Sequence, residues 1–140
     1  MITYERPVRF EDVDAARIVF FGRYFFYAHE AMEHFFAGLG GGYARLILER
    51  GVGLPAVDVS AEYHAPVRYG DVLHIQTTTA RLGNRSAQLR YRMVVAADGV
   101  EAVTVLHTVV TTDLAAMESV DMPPDVRAIL EAHLEPSPTE

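Results

Sequence analysis

The sequence predicts an α+β fold, a curved antiparallel sheet of five to six strands wrapped around one long central helix. Three observations carry this prediction. Apolar residues recur at helical spacing from about Gly22 to Leu39. From Val57 to Thr112 the apolar period changes to two. Those later runs are separated by short turn signals, Gly83-Asn84 and Asp98-Gly99, which join antiparallel neighbours.

Each element has its own justification. Tyr4 to Phe10 reads as a short first strand, and Pro7, lacking an N–H, puts it at a sheet edge. The long helix carries Tyr24, Tyr27, Ala28, Ala31, Met32, Phe35 and Leu39 on one stripe. Phe25, Phe26 and Phe36 widen that stripe, so the helix is expected to be mostly enclosed. Gly38, Gly40, Gly41 and Gly42 end it. Tyr43 to Arg50 reads as a second, short helix. Val57, Val59, Ala61 and Tyr63 alternate with Asp58, Ser60, Glu62 and His64, the pattern of a half-buried strand. Pro66 and Tyr69-Gly70-Asp71 mark a connection to a long strand, Val72 to Leu82. In the next strand Leu89, Tyr91 and Met93 alternate with Gln88, Arg90 and Arg92. Ala102 to Thr112 is apolar enough on both sides to be central. Pro123 and Pro124 open a last helix with Val126, Ile129, Leu130 and Leu134. Residues 1–135 form one expected domain, and 136–140 a frayed tail.

Composition narrows the function classes. The chain has 140 residues, half of them apolar, enough for one domain with a real core. A net charge of −7 argues against general nucleic-acid binding, which needs a basic stripe. There is no cysteine, which excludes disulfides, thiol nucleophiles and Cys-based metal sites. The N-terminus lacks the pattern of a signal peptide, and no apolar run approaches the ~20 residues of a membrane span. A cytoplasmic protein is expected, with no metal and no redox cofactor.

The most informative stretch runs from Phe10 to Tyr24, where Asp12 and Asp14 precede the apolar run Ile18-Val19-Phe20-Phe21. A carboxylate among apolar residues is costly unless it is hydrogen-bonded, paired or used. Phe20 and Phe21 stand where Ser, Thr, Asp or Asn would normally cap a helix. A buried, uncapped helix start beside an acid is a place for a substrate carbonyl.

A sheet curled around a helix is the hotdog architecture, and the chain resembles hotdog-fold acyl-CoA thioesterases of the 4-hydroxybenzoyl-CoA thioesterase type. The resemblance rests on Arg9-Phe10-Glu11-Asp12-Val13-Asp14, on Ile18-Val19-Phe20-Phe21, and on Tyr24 opening the helix. It continues through Tyr63-His64-Ala65-Pro66-Val67-Arg68-Tyr69-Gly70-Asp71 and Leu82-Gly83-Asn84-Arg85-Ser86, covering roughly Thr3 to Asp113.

The resemblance implies hydrolysis of an acyl-CoA thioester to a free acid and coenzyme A. It places catalysis on Asp14, as nucleophile or general base, with the Phe21 backbone N–H polarising the carbonyl. Phe20 and Tyr24 are the expected acyl contacts, and Arg85 and Ser86 the expected phosphate contacts. Arg68, Arg81, Arg90 and Arg92 are further candidates for a basic patch. The acyl group is expected to be aromatic, or else short or medium aliphatic. Acyl-carrier-protein thioester hydrolysis and non-catalytic acyl binding are the alternatives.

The chain departs from the family pattern in three places. The family often has Gly where Arg17 stands, commonly Asn at Gly22-Arg23, and His or Tyr at Phe21. Arg17 matters most, because pairing with Asp12 or Asp14 would weaken that acid as a base. Asp12 reads as structural. His29 with Glu33 and Glu30 with His34 read as solvated i,i+4 pairs. Glu62 or His64 could reach the site from a neighbouring subunit. The family pairs sheets, so a homodimer or homotetramer with shared sites is expected.

Overall fold

The computed structural model describes residues 1–137 of the chain, so most of the expected tail lies outside the described residues. The order is β1 (Ile2–Pro7), α1 (Arg23–Phe35), α2 (Gly42–Leu48), β2 (Val52–Gly53), β3 (Ala56–Tyr63), β4 (Val72–Leu82), β5 (Ser86–Val95), β6 (Glu101–Val110), β7 (Thr112–Asp113), β8 (Glu118–Ser119) and α3 (Pro124–Ala132). The five long strands form one antiparallel sheet in the order β1-β4-β5-β6-β3. Pro7 therefore does lie on an edge strand.

The α1 face at Tyr24, Tyr27, Ala28, Ala31, Met32 and Phe35 is buried, as its spacing demands. It packs on the inward residues of the sheet, among them Leu73, Ile75, Leu89, Tyr91, Met93 and Val103, all fully buried. Emptying one such site, as in Phe35→Ala, costs about 3–5 kcal/mol. α1 stops at Phe35 rather than Leu39, because residues 36–38 tighten into a turn before the glycines. Phe36 still packs, edge-on to Phe35 at 5.0 Å. At the β5–β6 hairpin Gly99 has φ 74°, the left-handed conformation that this turn requires.

Two expectations change. Phe25 and Phe26 do not widen the buried face; both are exposed. β3 is not half-buried either, for it is accessible along nearly all its length. It is the second sheet edge, and among the described residues no strand pairs with its outer side. A small sheet, β2-β7-β8, also forms from two-residue strands too short to show a period.

The two ends of the sheet are finished differently. α3 closes the end at the β4–β5 hairpin, where Val126 and Leu130 are buried and Thr79 donates to the Leu130 carbonyl. The other end is covered by the segment between β1 and α1 and by the connection from β3 to β4. Val8 N donates to Asp71 O at 2.9 Å and Val19 N to Val67 O at 2.8 Å, stitching these two segments together.

Candidate active site

Residues 13–19 form a tight hairpin at that second end. Val13 bridges Val19, Asp14 N donates to Ile18 O at 3.0 Å, and Arg17 N donates to Asp14 O at 2.9 Å. The turn closes only with its last residue left-handed, and Arg17 has φ 68°. Gly suits that geometry without steric cost, whereas this chain holds an arginine there. The Arg17 side chain makes no ion pair with Asp12 or Asp14 among the described residues, so the feared quenching of an acid does not arise.

Asp14 sits exposed at the turn. Its Oδ1 accepts from the Ala16 N–H at 2.8 Å, an Asx turn, and Oδ2 has no hydrogen bond among the described residues. One oxygen holds the loop; the other is free to act.

Asp12, two residues earlier, is fully buried. It accepts from the Arg9 amide at 2.8 Å, from Arg6 Nη1 at 3.0 Å, and from Arg23 Nε and Nη2 at 2.9 and 2.7 Å. Burial pushes its pKa up, but the Arg9 amide and the two arginines outweigh that and hold it below the usual carboxylate range. Arg6 in turn reaches Glu30 at 3.1 Å, so β1, the loop and α1 are tied through one network. That removes Glu30 from the expected pair with His34, whose ring lies 5.4 Å from Tyr4 instead. His29 and Glu33 do pair, at 3.3 Å.

The network fixes the start of α1. Phe20 N donates to Asp12 O at 2.9 Å, and Arg23 N to Phe20 O at 2.9 Å. No side chain caps the helix, and among the described residues the Phe21 and Gly22 amides have no acceptor. Free N–H groups at a helix start carry the positive end of its dipole. A Cβ on Gly22 would lie 2.9 Å from the Phe20 ring, so glycine lets that ring rest over the helix start.

Asp14, Phe21 and Tyr24 line one cleft of about 410 Å³, together with Ile18, Val19 and Tyr63-His64-Ala65-Pro66. The Tyr63 hydroxyl donates to Phe21 O at 3.0 Å, and its ring meets Tyr24 edge-on at 5.6 Å. Burial, then Tyr63, pushes the Tyr24 phenol up to about 12, so it stays protonated at neutral pH. His64 shares the Asp14 cleft within one chain, without help from a neighbour. Glu62 is not among the lining residues.

Of the expected acyl contacts, Phe20 stands beside the cleft, 4.6 Å from the Phe21 ring. Arg85 and Ser86 are elsewhere. Tyr63 pairs with Val103 and Ser86 with Val110, seven residues apart on β6, roughly 23 Å at 3.3 Å per residue. Arg85 is held there by Asp121 at 2.9 Å and by Ser119. Arg90 and Arg92 are likewise engaged with Glu135. Among the described residues no three His, Asp or Glu side chains converge as a metal site would need.

Comparison with known proteins decides the family. The model of the thioesterase-like superfamily matches residues 8–130. The chain belongs to that superfamily. It is 35% identical to a 1,4-dihydroxy-2-naphthoyl-CoA hydrolase of Synechococcus elongatus, over 64% of this chain and 67% of that one. A crystal structure of a thioesterase superfamily protein from Jannaschia superposes with a TM-score of 0.88 at 28% identity, covering 96% of this chain and 94% of that one. A gentisyl-coenzyme A thioesterase superposes at 0.80 and 28%, covering 93% and 99%. The expectation of a hotdog thioester hydrolase acting on acyl-CoA stands. Among the described residues no helix is long and apolar enough to cross a membrane.

Proposed function

We propose that the protein hydrolyses an aromatic acyl-CoA at the cleft that Asp14 and Phe21 share. One observation carries the reading: Asp14, with one oxygen that has no hydrogen bond among the described residues, lines the same cleft as Phe21, whose helix-start amide has no acceptor among them. The thioester carbonyl oxygen accepts from the Phe21 and Gly22 amides, which stabilise it as charge develops. Asp14 Oδ2 then either attacks the carbonyl carbon or deprotonates a water that does. In the first case the C–S bond breaks, coenzyme A leaves as thiolate and takes up a proton, and water cleaves the mixed anhydride to return Asp14 and the acid. In the second, water adds to the carbonyl as Asp14 takes its proton, the C–S bond breaks, the leaving thiolate takes that proton, and the acid forms directly. Tyr63 holds the Phe21 peptide, and Tyr24 walls the cleft as a neutral phenol. The names of the relatives, dihydroxynaphthoyl-CoA and gentisyl-CoA hydrolases, favour an aromatic acyl group over an aliphatic one.

The working unit is a homodimer at minimum, with a tetramer expected. The uncovered edge of β3 and the exposed Phe25, Phe26, Val57 and Val59 support this. Arg85 and Ser86 can contact the nucleotide only when a neighbouring copy brings its hairpin to the site. A cytoplasmic location fits the cysteine-free composition.

The test is a panel of acyl-CoA thioesters monitored for free thiol, with light scattering over a dilution series. Thiol release from aroyl-CoA, lost in Asp14→Asn, is the expected result. Hydrolysis unchanged in that variant overturns the assignment, and a fully active monomer overturns the assembly.

A further inference from the structure

Asp14 borders a second cleft, on the side away from the helix start. It measures about 570 Å³ and is lined by Phe10, Val13, Ala15, Tyr69 and Arg17 as well as Asp14. Phe10 and Tyr69 meet edge-on at 6.1 Å, and both rings are more than 60% exposed. An exposed aromatic pair beside a cleft is unspent apolar surface.

Arg17 is the second peculiarity. Most arginines of this chain hold a carboxylate or a carbonyl, including Arg6, Arg23, Arg45, Arg50, Arg85 and Arg90. Arg17 holds neither among the described residues, although its backbone is in the left-handed region. A bulky residue there is strained, and among the described residues no side-chain hydrogen bond or ion pair of Arg17 offsets the strain. Arg17 instead lines a cleft whose other residues, apart from Asp14, are apolar or aromatic.

A thioester carbonyl has two arms, and two clefts meet at Asp14. The cleft with Tyr63 and His64 is also mainly apolar, and adds one imidazole and a hydroxyl oxygen within reach of the amide-bearing pantetheine arm. The cleft with Phe10, Val13, Ala15 and Tyr69 offers apolar walls to a ring. The phosphates of coenzyme A lie at the far end of the pantetheine arm, too remote from the sulfur to meet a residue that borders Asp14 itself. Resting on the reading of Asp14 given above, we propose that this second cleft holds the acyl group and that Arg17 selects aromatic acyl groups bearing a hydroxyl or carboxylate substituent. The guanidinium donates to the substituent oxygen, and the bond is charge-assisted when that oxygen is ionised.

The experiment compares benzoyl-, 4-hydroxybenzoyl- and 4-carboxybenzoyl-CoA, and the pantetheine thioesters of the same acids, on wild type, Arg17→Met and Arg17→Lys. The expected result is a preference in kcat/KM for the substituted acyl groups that falls about 10-fold or more in Arg17→Met. The fall is the same with CoA and pantetheine thioesters, and Arg17→Lys restores part of it. A loss confined to CoA thioesters and equal for every acyl group means Arg17 reads phosphate, and overturns the proposal. An unchanged preference overturns it too. Titration of benzoate and 4-carboxybenzoate, followed by NMR at the Phe10 and Tyr69 rings, separates the two readings. Arg17-dependent binding without any thioester hydrolysis sinks the thioesterase assignment and keeps the cleft. Hydrolysis without Arg17-dependent binding does the reverse.

Discussion

Asp12 and Asp14 stand two residues apart and live in different worlds. Asp12 is sealed from water and filled with donors: one amide and two arginines. Asp14 is exposed, with one oxygen tied to Ala16 and the other free. The first has no spare capacity for a substrate, and the second has little capacity to hold the fold. Division of labour between neighbouring acids is therefore set by satisfaction of their lone pairs, not by their place in the sequence.

The comparison breaks most visibly at Asp12. Removing it in Asp12→Ala leaves buried Arg6 with Glu30 alone and strips Arg23 of its nearest carboxylate, so unfolding free energy should drop by about 3 kcal/mol. Urea titration checks this, and a loss under 1 kcal/mol would show that the network is replaceable. Asp14→Asn should do the opposite. Turnover should fall at least ~10²-fold, about 3 kcal/mol of barrier, while stability stays within about 0.5 kcal/mol as for other exposed sites.

Acid sharpens the contrast. The folded-state pKa of Asp12 is below its unfolded value, because the Arg9 amide and its arginines outweigh burial. Its contribution is complete above the ordinary carboxylate range and is lost as pH falls through the depressed folded value. His107, lowered by burial and then by His29, loses stability in the same direction, beginning in the imidazole range. Unfolding free energy measured from neutral pH downward should fall in two stages, and Asp12→Asn should shrink the lower one, to which Glu135 and Asp125, also held low by arginines, contribute as well. The smallest effect is at the turn between α1 and these acids. Arg17→Gly should stabilise by about 1 kcal/mol by relieving the positive φ, read as a rise in thermal midpoint.

Much of this was legible in the chain. The period change at Val57 located the sheet, the Tyr24 to Phe35 stripe located the helix, and Pro7 located an edge. Asp14, Phe21 and Tyr24, which the family resemblance singled out, do share one cleft. The illegible parts have physical reasons. Tyr63 read as an ordinary strand residue and His64 as one that reaches the site from a neighbouring subunit, since only the curl of the sheet brings the end of β3 beside the helix start of its own chain. Phe25 and Phe26 fit the apolar stripe by type, but one helix has only one face to bury in a single chain. Arg85 looked free because its partner, Asp121, lies far along the sequence. Arg17 announced a departure, yet its left-handed backbone could not be inferred without the hairpin that encloses it.

The stitching of the site to later sequence has a consequence for synthesis. Val8 waits for Asp71, Val19 for Val67, and β1 for β4. At roughly 5–20 residues per second, translation leaves the N-terminal segment without its partners for several seconds. Throughout that interval Val8, Val19, Tyr24, Tyr27 and Phe35, all buried in the folded chain, have no sheet to lie against. The stretch that forms the proposed reacting centre is thus a chaperone's handhold first. Ribosome-bound chains ending before β4 should be captured through it and released once β4 emerges.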